Sequence, residues 1–90
     1  MKIQIARHAA SALKKIPAET RMAILTSIKG LETEPFPSPP KGKRLVGMKP
    51  ATYRLRVGDY RIVYREIESN LVILTVIHRK DLETEIKKIK

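Results

Sequence analysis

The sequence predicts a single α+β domain, in which two N-terminal helices pack on one face of a mainly antiparallel sheet. Two observations support this fold class. Apolar residues recur at helical spacing in the first third of the chain, and at strand spacing in the second half. The expected order of elements is β-α-α-β-β-β, followed by a weaker C-terminal helix. Ninety residues leave room for one domain, which we place at residues 1–90.

The N-terminal third combines one strand with two helices. Residues 2–6, KIQIA, alternate apolar and polar side chains as a short strand does. The first helix buries one stripe of residues: Ala9, Ala12, Leu13 and Ile16. Pro17 ends this helix and begins the next. Over residues 18–33 the predicted buried stripe is Met22, Leu25, Ile28 and Leu31, with Ile24 beside it.

A proline-rich stretch separates the helices from the later strands. EPFPSPPKGK, residues 34–43, has four prolines, which remove backbone donors and fix φ. We interpret it as an extended connection that crosses from the helices to the sheet. A polyproline II segment that serves as a ligand for another protein is the alternative.

YRLRVGDYRIVYR, residues 53–65, has the pattern of a β-hairpin. Gly58-Asp59 suits a two-residue type II′ turn, which pairs Val57 with Tyr60 and Arg56 with Arg61. One face of the hairpin is then apolar and faces the helices: Tyr53, Leu55, Val57, Tyr60, Ile62 and Tyr64. The opposite face carries Arg54, Arg56, Arg61, Val63 and Arg65.

The C-terminal third contains one more strand. After a polar turn near residues 68–70, LVILTVI at 71–77 is apolar on both faces, which is typical of a buried strand. DLETEIKKIK, residues 81–90, shows weak helical spacing through Leu82, Ile86 and Ile89.

The basic residues are concentrated in one segment. The chain has a net charge of +10, and residues 41–65 hold eight cations against the single acid Asp59. Arg56 opposite Arg61 is a like-charge cross-strand pair, which destabilises a hairpin. These side chains either extend into water or bind an external anion. Because guanidinium makes bidentate contacts with phosphate, arginines on this face favour nucleic acid as the partner. We expect His78, Arg79 and Lys80 to line the edge of the same face.

LVGMKPATYRLRVGDYRIVY at 45–64, followed by IHRKD at 77–81, resembles the RelE/ParE superfamily of toxins, and its RelE-type branch in particular. The resemblance implies a RelE-like fold and a toxin of a type II toxin–antitoxin pair. It implies a metal-independent endoribonuclease without cofactor, which cuts messenger RNA in the ribosomal A site. The implied partners are a cognate antitoxin, the ribosome and mRNA, with operator DNA bound only through the toxin–antitoxin complex.

The resemblance also assigns residues. It places Arg54, Arg56, Arg61 and Arg79 in the catalytic set, to which we add His78 on chemical grounds. Arg61 and Arg79 would stabilise the phosphate, and His78 is the ordinary acid/base candidate. Further cations are expected to contact RNA: Lys41, Lys43, Arg44, Lys49, Arg65 and Lys80.

One feature of the RelE-type pattern is missing. Many members carry a tyrosine a few residues after the HRKD motif, where this chain has LETEI at 82–86. Glu83 or Glu85 could supply an acid/base group instead, or both lie on a solvated helix face. Two further functions remain open: a ParE-like inhibitor of DNA gyrase, and a catalytically weak relative that acts as an antitoxin-binding corepressor.

Several other classes are disfavoured. The chain has no cysteine, which excludes disulfides and cysteine-based metal sites. No apolar run approaches the ~20 residues that cross a bilayer, and the N-terminus lacks the apolar core of a signal peptide. The basic residues lie on predicted strands, unlike a membrane-surface helix or a helix that reads DNA. We therefore expect a cytoplasmic protein without membrane contact.

Overall fold

A computed structural model of the chain describes residues 1–89, and for Ile89 only the backbone. Strand β1 spans Lys2–Ile5, helix α1 Arg7–Lys14 and helix α2 Ala18–Gly30. Strands β2 (Gly42–Arg44), β3 (Thr52–Val57), β4 (Tyr60–Ile67) and β5 (Asn70–His78) follow. A 3-10 turn at Arg79–Asp81 leads into helix α3, Leu82–Ile89. Lys90, the last residue of the predicted C-terminal helix, lies outside the described residues.

The strands form one five-stranded sheet in the order β1-β5-β4-β3-β2. Strand β1 runs parallel to β5, and the other three pairings are antiparallel. The predicted α+β class and mainly antiparallel sheet are confirmed. Strand β2 was not predicted, since its sequence GKR carries no strand pattern. It forms because Gly42 and Arg44 pair with Leu55 and Tyr53 of β3.

Both N-terminal helices pack on the same face of the sheet, and their buried side chains meet those of three strands in one core. The helices and the residues just after them contribute Ala9, Leu13, Ile16, Ile24, Ile28 and Leu31, and the strands contribute Leu55, Ile62, Tyr64, Leu71, Ile73 and Val76. The predicted stripe of α2 is wrong in part, because Met22 is 65% exposed and Leu25 38%. The buried stripe is formed by Ile24, Ile28 and Leu31, which are spaced i, i+4, i+7.

The proline-rich segment is tied to the sheet by its first residues. The hydroxyl of Tyr64 donates a 2.8 Å hydrogen bond to the carbonyl oxygen of Pro35. Phe36 lies on Tyr53 with ring centroids 4.7 Å apart, and Tyr53 stacks on Tyr64 at 5.7 Å. These contacts fix the path that brings β2 alongside β3.

The hairpin has the predicted register. Val57 lies opposite Tyr60, Arg56 opposite Arg61, and Arg54 opposite Val63. Gly58 has φ +57°, as the first turn position of a type II′ turn requires. Between β4 and β5 the register shifts by one residue at Val63/Tyr64, which leaves an extra residue in β5.

Within the described part of the chain, none of the helices is both long enough and apolar enough to cross a membrane.

Candidate RNA phosphate site

Four arginines share the sheet face that points away from α1 and α2. We call this the arginine face and define it by Arg54, Arg56, Arg61 and Arg65. The face follows from strand alternation, because the residues between these arginines enter the core. Val63 lies among them and is fully buried. The hairpin therefore presents cations around one apolar residue.

Arg61 is anchored at the hairpin turn. Its Nη1 donates hydrogen bonds of 2.9 Å to the carbonyl oxygens of Gly58 and Tyr60. Partial burial lowers the pKa of Arg61 below its ordinary value, and the charges of Arg56, Arg54 and Arg79 lower it further. Asp59 acts in the opposite direction. Guanidinium stays protonated at neutral pH despite such effects, so Arg61 is a fixed cation close to three others.

Arg79 reaches the same turn from the end of β5. Its backbone N–H donates a 2.8 Å hydrogen bond to the carbonyl oxygen of Asp59. Its Nε lies 3.6 Å from the Asp59 carboxylate, and both side chains are largely exposed. The 3-10 turn thus brings the Arg79 guanidinium to the hairpin turn. We call Arg54, Arg56, Arg61 and Arg79 the arginine cluster.

The remaining arginines differ in how firmly they are held. Arg54 Nη1 donates to the carbonyl oxygen of Pro40 at 3.3 Å. Arg65 Nε donates a 2.8 Å hydrogen bond to the Thr52 hydroxyl, which holds the guanidinium against the neighbouring strand β3. Arg56 is exposed, and its guanidinium has no hydrogen bond to the described residues. Arg56 is therefore the most available of the hairpin cations.

The flanking cations differ in their distance from the arginine face and in the side of the sheet on which they lie. Lys43 lies opposite Arg54 and shares the arginine face. Lys41 precedes β2, and its carbonyl oxygen accepts a hydrogen bond from the Arg56 N–H. Arg44 lies opposite Tyr53, which places it on the other face of the sheet. Lys49 is exposed in the loop before β3, at the end of the hairpin far from the Gly58 turn, and Lys80 is exposed beside Arg79.

The prediction that His78 lines the edge of the arginine face is wrong. His78 lies opposite Tyr60 and packs edge-on against its ring at 5.5 Å, on the helix side of the sheet. Its Nδ1 accepts a 3.2 Å hydrogen bond from the Lys80 N–H and so caps the 3-10 turn. The physical reason is the register shift in β5, which reverses the faces of the residues that follow it.

His78 lines a cavity of about 490 Å³ between α1, β5 and the start of α3. The other titratable side chains that line this cavity are His8, Lys15, Asp81 and Glu85. Glu85 also binds Lys88 at 3.3 Å. Glu85 therefore faces this cavity, while Glu83 is exposed. No three of the described His, Asp and Glu side chains are grouped so that they could hold a metal ion.

Chemically, the arginine cluster suits a phosphodiester. Two guanidiniums meet at one turn, two more follow along β3, and lysines extend the positive surface. The turn's carbonyl oxygens and the Asp59 carboxylate that anchor Arg61 and Arg79 were not foreseen from the sequence. An arginine two residues after a Gly-Asp turn is the signal that could have pointed to them.

Comparisons with known proteins agree with this fold. A family model, the ParE toxin of type II toxin–antitoxin system, parDE, matches residues 3–83. No curated protein matches the chain. Among solved structures, the RelBE2 toxin–antitoxin complex of Mycobacterium tuberculosis is 30% identical, with a TM-score of 0.70 over 87% of this chain and 96% of that one.

Two further structures show the same fold. The archaeal RelE–RelB complex of Pyrococcus horikoshii is 28% identical, with a TM-score of 0.74 over 87% of this chain and 93% of that one. The isolated RelE toxin of E. coli is 20% identical, with a TM-score of 0.73 over 99% of this chain and 98% of that one. The family match over residues 3–83 shows that the chain belongs to the ParE toxin family of type II toxin–antitoxin systems, within the RelE/ParE superfamily.

Proposed function

We propose that this toxin inhibits translation as a ribosome-dependent mRNA endoribonuclease and that a cognate antitoxin neutralises it. The observation that carries the proposal is the convergence of Arg54, Arg56, Arg61 and Arg79, with Asp59 as the acid that opposes them. A cluster that repels itself in the free protein is best explained by an anion that arrives with the substrate.

The reaction follows from the chemistry of RNA. The ribose 2′-oxygen attacks the adjacent phosphorus and loses its proton, while the bond from phosphorus to the 5′-oxygen breaks and that oxygen takes up a proton. The products are a 2′,3′-cyclic phosphate and a 5′-hydroxyl. Negative charge gathers on the non-bridging phosphate oxygens in the transition state, and preplaced cations stabilise it.

Arg61 and Arg79 suit this stabilising role because the turn holds both of them. Arg54 and Arg56 suit the phosphates on either side, and Lys41 and Lys43 extend that track along the edge of the sheet. Lys80 lies next to Arg79 and can contact a further phosphate. We assign His78 no proton transfer at this site, since its ring lies on the helix side of the sheet.

The antitoxin is inferred from the relatives. The structures from Pyrococcus horikoshii, Methanococcus jannaschii and Mycobacterium tuberculosis are complexes of RelE-type toxins with their antitoxins. For this chain we propose an antitoxin whose acidic residues cover the arginine face. Operator DNA would be bound by the complex and not by the toxin alone. All of these partners act in the cytoplasm.

The test is RNA cleavage by the purified protein on translating ribosomes, mapped by primer extension. The variants Arg61→Ala and Arg79→Ala are compared with Lys29→Ala, which removes an exposed cation of α2. We expect cuts within A-site codons for the wild type and Lys29→Ala, and strongly reduced but measurable cleavage for the two arginine variants. Folded wild-type protein that leaves the mRNA intact would contradict the proposal.

A second candidate rests on the family model, which is described for the ParE toxin. If the mRNA stays intact, inhibition of DNA gyrase supercoiling by the same preparation would support a ParE-like inhibitor. If neither activity appears and the chain still binds its antitoxin, the corepressor function is supported.

A further inference from the structure

The hairpin turn does more than connect two strands. Three consecutive turn residues, Gly58, Asp59 and Tyr60, supply the oxygen acceptors for both Arg61 and Arg79. The 3-10 turn is joined to the hairpin by the hydrogen bond from the Arg79 N–H to the Asp59 carbonyl oxygen. The two guanidiniums therefore take their orientation from one short segment.

The hydrogen bonds and ion pair at the turn determine which guanidinium nitrogens of Arg61 and Arg79 remain free to bind a ligand. Asp59 lies against Nε of Arg79 at 3.6 Å. The two terminal nitrogens of Arg79 have no hydrogen bond to the described residues, so they keep the fork that binds phosphate in a bidentate manner. Arg61 uses Nη1 for the turn carbonyls, which leaves Nη2 and Nε. Each arginine is thus held by one part of its guanidinium and open at another.

We propose that Asp59 is a positioning residue for Arg79, which orients the guanidinium toward the phosphate that Arg61 also contacts. This inference rests on the proposed nuclease function and deepens it. Asp59 itself does not touch the reacting atoms. Its carboxylate opposes RNA binding, since it places a negative charge beside the phosphate position. Its contribution is to the orientation of a cation in the transition state.

This arrangement predicts an unusual separation of binding from turnover. Asp59→Asn removes the charge that holds Nε but retains the backbone carbonyl that accepts from the Arg79 N–H. We expect kcat to fall by at least about tenfold, within the ~100-fold that a misplacement of about 1 Å can cause. The affinity for a non-cleavable RNA, 2′-deoxy at the cut position, stays equal or becomes tighter.

The control is Glu66→Gln, an exposed acid of β4 at the opposite end of the hairpin, which changes the net charge by the same amount. We expect it to leave kcat unchanged. Asp59→Asn is also made in an Arg79→Ala background. Because Asp59 acts through Arg79, it should cause no further loss of kcat there.

A second measurement does not depend on catalysis. The ¹⁵N–¹H signal of Arg79 Nε should be ordered in the wild type and averaged in Asp59→Asn, with an unchanged thermal midpoint. An Arg79 Nε signal unaffected by Asp59→Asn would overturn the positioning role, whether or not the wild type cuts RNA. So would an Asp59→Asn variant that cleaves as fast as the wild type. If the wild type cuts no RNA but the Nε signal changes as expected, the proposed function fails and the positioning of Arg79 stands.

Discussion

Replacing Arg56 should stabilise the fold while weakening the proposed activity. Arg56 lies directly opposite Arg61, and Arg54 and Arg79 are close to the same point. A like-charge cross-strand pair costs about 0.2–1 kcal/mol. Two unit charges about 6 Å apart in water repel by ~0.7 kcal/mol, which agrees with that range. Arg56→Gln should therefore raise the free energy of unfolding by about 0.5–1 kcal/mol at low ionic strength.

The assay is urea denaturation at low salt and at 1 M salt. Lys2→Gln is the matched control, since Lys2 is an exposed cation of β1 opposite the uncharged Asn70. At 1 M salt the screening length is about 3 Å, so the advantage of Arg56→Gln over Lys2→Gln should disappear. If Arg56→Gln is no more stable than Lys2→Gln at low salt, the self-repulsion of the cluster is refuted.

Three further variants test the fold. Burial, with a smaller effect of Tyr53, raises the pKa of Tyr64 to about 12, so the folded state holds this proton more tightly than the unfolded one. The free energy of unfolding should fall by up to about 3 kcal/mol as pH rises from 10 to 12, and Tyr64→Phe should lack this fall in pH-dependent urea titrations. Gly42→Ala should lower the free energy of unfolding by about 1–3 kcal/mol in thermal denaturation. The added Cβ would clash with the Pro37 carbonyl oxygen and lie 2.8 Å from Pro37 Cγ. Thr75 is 2% exposed and its hydroxyl has no partner in the described residues. Thr75→Val should raise the free energy of unfolding, measured in urea, by roughly 1 kcal/mol. A lower free energy of unfolding would show that the Thr75 hydroxyl has a hydrogen-bond partner.

Local chemistry made much of the fold predictable. The two-residue Gly58-Asp59 turn determines every pair of the hairpin, and with it the separation of cations from core residues. Pro17 marks the junction of the two helices, and the apolar run of β5 marks the buried strand. Each of these signals lies within a few residues of the feature it specifies.

The missed features depend on distant pairings. Strand β2 forms because β3 has an edge free for pairing, and the three residues of β2 carry no strand pattern of their own. Strict alternation along β5 would point His78 toward the arginines, but the extra residue near Leu74 reverses the alternation. Leu71 and Ile73 are buried in the core before the shift, and Val76 after it. On α2 two apolar stripes overlap, and packing against the sheet selects the one through Ile24.

The central claim is that the arginine cluster binds RNA phosphates, and salt-dependent binding tests it most directly. The measurement is the affinity of a 2′-deoxy-blocked oligoribonucleotide between 50 and 200 mM salt. For single strands the slope of log K against log salt is about −0.7 for each phosphate neutralised. We expect Arg61→Ala and Arg79→Ala each to reduce the magnitude of the wild-type slope by about 0.7, and Lys29→Ala to leave it unchanged. Equal slopes for the wild type and both arginine variants would contradict the claim.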